Sequence, residues 1–202
     1  MSEIKAVFFD LGNVLVNYDA KIALEKFARL LETPEDQVWK IIFISDLERR
    51  YSVGKITSRE FFTEASKHFS KSIDYEVFAD TWNQIFWAND GMGALVDSVA
   101  KHFAIYLISN TNELHFEFIK KRFPILTRFN RCFPSHEVGY RKPDTAIFEY
   151  ALRETKVLAK EAVFIDDVLE FVEAAEKVGM HAVQFRSKEQ LENDLRNLEI
   201  IF

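Results

Sequence analysis

Five short runs of apolar, β-branched or aromatic residues constrain this chain most: Ala6 to Asp10, Ala104 to Ser109, Arg131 to Phe133, Ala162 to Asp166 and His181 to Phe185. Each is near-continuously apolar rather than alternating, the pattern of a strand covered on both faces. Helical periodicity separates most of them. Strands buried on both faces and joined through helices build a doubly wound parallel sheet, so the expected fold class is α/β.

The stretch from about Val16 to Trp87 carries amphipathic helical patterns and no convincing strand. It reads as an inserted helical domain over residues 16–87, with the α/β core formed by residues 1–15 and 88–202. At 202 residues, one core with a modest insertion is also what chain length favours. Helix starts are marked by Thr33 with Pro34 at the first helical position and by the capping boxes Thr57-Ser58-Arg59-Glu60 and Ser187-Lys188-Glu189-Gln190. Gly54 interrupts the insertion, and Gly91 and Gly93 mark a flexible return to the core. Gly91-Met92-Gly93 follows no apolar strand and is no dinucleotide fingerprint.

Composition narrows the partners. A net charge of -6, without a cluster of Lys and Arg interleaved with aromatics, argues against nucleic acid. Small phosphorylated metabolites remain open, because a local cation and a few amides decide their binding. The single cysteine, Cys132, cannot form an internal disulfide and reads as a small core filler. The apolar run that begins at Ala6 is too brief for a signal-peptide core or a membrane span, so a cytoplasmic location without a membrane partner is expected. Oligomeric state leaves no mark in the sequence.

Polar residues collect where the expected strands end: Asp10-Leu11-Gly12-Asn13, Ser109-Asn110-Thr111 and Asp166-Asp167, with Gly139-Tyr140-Arg141-Lys142-Pro143 leading into a helix. An open parallel sheet places its binding crevice at these ends. Singly, each has an ordinary explanation. Asp10 would end its strand in an Asx-turn, Ser109 or Asn110 would cap a helix, Lys142 would be a solvated loop charge, and Asp166-Asp167 would be a cap pair. Jointly they ask for more. Three carboxylates in one crevice repel one another unless a divalent cation sits among them, and hard oxygen ligands suit Mg²⁺. That cation with a serine hydroxyl, a lysine and amides at a helix start makes a phosphoryl site. An aspartate, ionised at neutral pH, needs no base to act there as a nucleophile.

In these residues the chain resembles the haloacid dehalogenase superfamily along its whole length. Asp10-Leu11-Gly12-Asn13-Val14 is similar to the first motif, Ser109-Asn110 to the second, Lys142-Pro143 to the third and Asp166-Asp167 to the fourth. The insertion is similar to that family's helical cap. Within the superfamily, the nearest resemblance is to the group of bacterial glucose-1-phosphate phosphatases and the phosphatase domain of soluble epoxide hydrolases. The resemblance implies a Mg²⁺-dependent phosphatase acting on a small phosphomonoester, such as a sugar phosphate. It implies Asp10 as nucleophile and metal ligand, Lys142 as catalytic charge bridge, and Leu11, Gly12, Ser109, Asn110 and Lys142 as substrate binders. The metal ligands would be Asp10, the Gly12 carbonyl and Asp167, with Asp166 close behind.

The chain departs from the family pattern twice. Gly12 stands where a second aspartate usually acts as general acid. Phe171 stands where an Asp or Asn is common, which implies a weaker metal site. The alternatives are a dehalogenase, against which the acidic fourth motif argues, and a phosphate-binding relative that is catalytically silent. His68, His102, His115, His136 and His181 lack ligand spacing and read as surface or core residues. Trp39, Trp82 and Trp87 read as packing residues, and Glu48, Arg49, Arg50 and Tyr51 as a solvated helix face.

Overall fold

The computed structural model describes residues 3–202. Its strands are β1 (Ala6–Phe9), β2 (Val16–Tyr18), β3 (Phe86–Ala88), β4 (Ala104–Ser109), β5 (Arg131–Pro134), β6 (Ala162–Asp166) and β7 (His181–Gln184). All five expected strands form one sheet in the order β5-β4-β1-β6-β7, and every pairing in it is parallel. The chain runs outward from β1 through β4 to β5, then crosses back to β6 and β7. The order reverses beside β1, which places the crevice at the C-terminal ends of β1, β4 and β6.

Burial on both faces explains the uninterrupted apolar runs. Val7 and Phe9 face a core with Ile105, Leu107, Val163 and Ile165, while Ala6 and Phe8 face the opposite one with Ile108, Phe133 and Phe164. Helices α6 (Met92–Val99), α7 (Glu113–Arg122) and α11 (Lys188–Asn197) cover the first face. Helices α9 (Thr145–Thr155) and α10 (Leu169–Lys177) cover the second. The expected capping box at Ser187 and Gln190 is present at the start of α11.

Between β2 and β3 lie α1 (Ala20–Leu31), α2 (Glu35–Val38), a π-helical turn at Trp39–Phe43, α3 (Asp46–Ser52), α4 (Ser58–Ser66) and α5 (Tyr75–Asn83). Asp19 caps α1, accepting from the Lys21 amide at 2.8 Å. Ala23, Phe27 and Leu31, four residues apart, then put one apolar stripe into the interior. These helices have a core of their own, in which Tyr51 and Trp82 each stack on Phe61 with ring centroids 4.9 Å apart. The capping box at Thr57 and Glu60 is formed, and Gly54 takes a left-handed φ of 70° between α3 and α4.

The structure corrects several expectations. The segment from Val16 to Trp87 is not purely helical, because β2 and β3 pair antiparallel. Strands of three residues are too short to show a period. Glu35 rather than Pro34 opens α2, with Pro34 as its cap. Gly93 lies inside α6, and Gly91 alone makes the turn, with φ 82°. Trp87 is exposed on β3 rather than packed, and Trp39 is partly exposed. Glu48 and Tyr51 do not lie on a solvated face, since Tyr51 is buried and Glu48 is paired across the molecule.

Candidate active site

The loop after β1 shapes the crevice. Asp10 donates its amide to the Ile165 carbonyl at 2.8 Å, extending the sheet by one residue. The chain then reverses tightly: Asn13 takes a left-handed φ of 55°, its amide donates to Val16 at 2.8 Å, and the Val16 amide donates to Leu11 at 3.0 Å. Asparagine tolerates that conformation better than most residues.

Lys142 is the centre of the site. It is 1% exposed, and its ammonium donates to Asp10 Oδ1 at 2.6 Å, to Asp166 Oδ2 at 2.5 Å and to the Ile108 carbonyl at 3.3 Å. The reading of Lys142 as a solvated loop charge is thereby excluded. The rings of Phe171 and Phe164 flank its Nζ at 5.1 and 5.3 Å. Phe171 thus packs beside the ammonium. Burial pushes the Asp10 carboxyl up, against the pull of Lys142. Burial and the neighbouring Asp10 charge push Asp166 up to about 7. The two carboxylates hold Lys142 above the usual lysine value despite its burial.

Ser109, at the end of β4, is buried and lines the cavity. Asn110 follows it and binds the Lys142 backbone in both directions, donating from Nδ2 to the carbonyl and accepting at Oδ1 from the amide, each at 2.8 Å. Its side chain is occupied in placing the lysine, and its backbone amide is not part of that pair.

Asp10, Asp166 and Asp167 offer carboxylate oxygens that lie within 4.8 Å of one another. Three carboxylates face one ammonium, so with all three ionised the cluster would carry two uncompensated negative charges. A divalent cation matches that deficit, and an all-oxygen set suits Mg²⁺. Both Asp166 oxygens are already engaged, one by Lys142 and one by the Val168 amide at 2.8 Å. Among the described residues, the Asp167 carboxylate accepts one hydrogen bond, from Asn13 Nδ2 at 3.2 Å.

The crevice opens into a cavity of about 220 Å³ that the helices between β2 and β3 close from the other side. Polar groups that sequence reasoning missed meet there. Arg141, next to Lys142, donates to Glu48 Oε2 at 3.2 Å and to Ser52 Oγ at 2.9 Å, both on α3. His115 and Asn112 enter from the start of α7. Burial pushes the His115 imidazole down to about 4, so it is neutral. Its Nδ1 faces Asn112 Nδ2 at 3.3 Å and its Nε2 faces the Trp82 carbonyl at 3.2 Å. Ile42, Phe43, Ile85 and Phe86 add an apolar wall. His68 and His102 are exposed. Among the described residues, no helix is long and apolar enough to cross a membrane.

Residues 4–179 match the haloacid dehalogenase-like hydrolase family, and the chain belongs to that family. It is similar to a drimenol cyclase of Aspergillus calidoustus, with 27% identity over 96% of this chain. It spans only 36% of that longer protein. It is also similar to a D-ribitol-5-phosphate phosphatase of Bacteroides thetaiotaomicron, 24% identical over 90% of this chain and 91% of the relative. Among solved structures, a haloacid dehalogenase family enzyme of the same bacterium, crystallised with magnesium and inorganic phosphate, superposes with a TM-score of 0.83. It is 24% identical, covering 92% of this chain and 96% of that one.

Proposed function

We propose that the protein is a phosphatase that hydrolyses a small phosphomonoester through an aspartyl phosphate on Asp10. The observation that carries this reading is the Lys142 ammonium held between Asp10 and Asp166, with Asp167 within reach of the same point. One oxygen of Asp10 is anchored on the lysine, which leaves Oδ2 to attack. That oxygen forms the new bond to phosphorus as the bond to the leaving alcohol breaks, and water then releases phosphate from the aspartyl phosphate. Lys142 offsets the charge on the phosphoryl oxygens, and Ser109 with the backbone amides of Leu11, Gly12 and Asn110 completes the phosphate cradle.

Mg²⁺ is the proposed cofactor, held by Asp10, Asp167 and the Gly12 carbonyl with Asp166 behind. The engagement of both Asp166 oxygens favours Asp167 as the direct ligand. When bound, the ion would neutralise charge between the nucleophile and the phosphate dianion. Supporting relatives are the D-ribitol-5-phosphate phosphatase and the enzyme crystallised with magnesium and phosphate.

In this reading residues 16–87 are a cap over the site. Beyond the phosphoryl end the cavity wall is charge-balanced: Arg141 is paired with Glu48, and His115 is neutral. That favours an uncharged alcohol, such as a sugar or polyol, as the leaving group. A dehalogenase needs no metal, and the clustered Asp166 and Asp167 count against that alternative. The test is a panel of phosphorylated metabolites with Mg²⁺, comparing wild type with Asp10→Asn. Phosphate release by the wild type alone supports the reading, and equal release by both overturns it.

A further inference from the structure

A family member without an acid at position 12 must find the leaving group's proton elsewhere, and the structure places a donor beside that position. A Cβ on Gly12 would lie 2.9 Å from Tyr18 Cε1, 3.4 Å from Tyr18 Cδ1 and 4.0 Å from Asp10 Oδ2. The Tyr18 ring therefore fills the volume that a side chain at position 12 would take, next to the nucleophilic carboxylate. We propose that Tyr18 is the proton donor to the leaving alcohol, an assignment that rests on the phosphatase reading above.

The fold holds the ring in place. Tyr18 ends β2, pairs with Phe86 of β3 and lies 6.1 Å from its ring. The next residue, Asp19, donates its amide to Ile85 at 3.1 Å. Tyr18 is 43% exposed and lines the cavity, so a substrate can reach it. Its hydroxyl has no hydrogen-bond partner among the described residues. The basic side chains of the cavity are committed: Lys142 to two carboxylates, Arg141 to Glu48 and Ser52, and His115 to Asn112 and Trp82. Ser109 is an aliphatic alcohol and so no stronger an acid than the alcohol it would protonate.

The chemistry balances. As Asp10 Oδ2 bonds to phosphorus, the bond from phosphorus to the leaving oxygen breaks and its electron pair stays on that oxygen. The oxygen takes the phenolic proton, and the negative charge passes to the phenolate. A phenol ordinarily titrates near about 10; burial and the charges of Asp167 and Asp10 raise that of Tyr18, yet a phenol is by nature a far stronger acid than an aliphatic alcohol, so the transfer runs downhill as the bond breaks. In the second step the attacking water gives its proton back to the phenolate. A neutral phenol also adds no charge repulsion to the incoming dianion.

The experiment measures kcat/KM on glycerol 2-phosphate and on p-nitrophenyl phosphate, because that ratio reports the step in which the alcohol leaves. Nitrophenolate departs without a proton, whereas an alkoxide does not. Tyr18→Phe is expected to lower kcat/KM on glycerol 2-phosphate by about 10²-fold and to leave p-nitrophenyl phosphate nearly unchanged. Tyr18→Ala with Gly12→Asp, which frees the space and restores a carboxyl, should recover alkyl phosphate turnover relative to Tyr18→Ala alone. Equal losses on both substrates, or none on either, overturn the assignment of Tyr18. Asp10-dependent turnover of p-nitrophenyl phosphate in the same preparations keeps the phosphatase reading standing in that event. Its absence from the wild type overturns that reading and the role of Tyr18 together.

Discussion

Asn110 and Lys142 are joined backbone to side chain in both directions, at 2.8 Å each way, although 32 residues separate them. This pair of bonds fixes the loop that carries the lysine into the buried site. Asn110→Ala should therefore act through Lys142. Losing two hydrogen bonds of about 1 kcal/mol each lowers stability modestly, whereas misplacing a catalytic ammonium by an ångström costs about 10²-fold in rate. The check is kcat against melting temperature, and a variant with full kcat would show that Lys142 needs no such clamp.

Lys142→Met separates charge from packing. The ammonium is buried against two buried carboxylates, so its removal leaves uncompensated charge in the interior, a change that typically costs about 3–5 kcal/mol. Activity should vanish, and urea unfolding in EDTA should show a loss of that order. The loss should narrow as pH falls toward about 4, since a carboxylate raised in the folded state takes up its proton there before the unfolded chain does. An unchanged unfolding midpoint would contradict the buried ion-pair geometry.

Gly54 and Gly139 form a natural comparison. Both are left-handed, with φ of 70° and 86°. A Cβ on Gly54 would meet the His136 carbonyl at 2.0 Å, whereas one on Gly139 would meet nothing within 4 Å. Gly139→Ala should cost only the conformational penalty of about 1–2 kcal/mol. Gly54→Ala should cost clearly more, because it wedges α3 away from the helix Ser135–Val138, which holds the Ser52 carbonyl through Ser135 at 2.6 Å. Equal losses would show that the contact relaxes freely.

His115 gives stability a pH dependence of known sign. Its folded value of about 4 lies below the ordinary imidazole value of 6.5, so between those limits the unfolded chain binds a proton that the folded chain does not. Stability from this group is complete above pH 6.5 and is lost as pH falls toward 4, by about 3 kcal/mol in all. His115→Gln should flatten the urea stability profile in that window by up to one proton. A profile as steep as that of the wild type would place the protonation elsewhere.

The fold was legible because a doubly covered sheet demands continuous apolar runs, and each of the five showed in the sequence to within a residue or two at its end. Asp10, Ser109, Lys142 and Asp166-Asp167 were legible because each sits where an apolar run or its following loop stops. Other parts had no local signal. The three-residue strands β2 and β3 exist through pairing between Tyr18 and Phe86, 68 residues apart. The tie from Arg141 to Glu48, 93 residues distant, depends on how the helices lie over the sheet. The burial of Lys142 comes from packing by Phe164 and Phe171, which a loop sequence does not announce. Tyr18 gained meaning only when its ring was seen beside Gly12.

Asp10 must form a bond to phosphorus if the protein works as proposed. The most direct measurement is mass spectrometry of protein acid-quenched during turnover of p-nitrophenyl phosphate with Mg²⁺. One phosphoryl group should appear on the peptide that contains Asp10 and be absent from Asp10→Asn, which should also release no phosphate. Continued phosphate release by Asp10→Asn, with no phosphoryl group on that peptide in the wild type, would contradict the account.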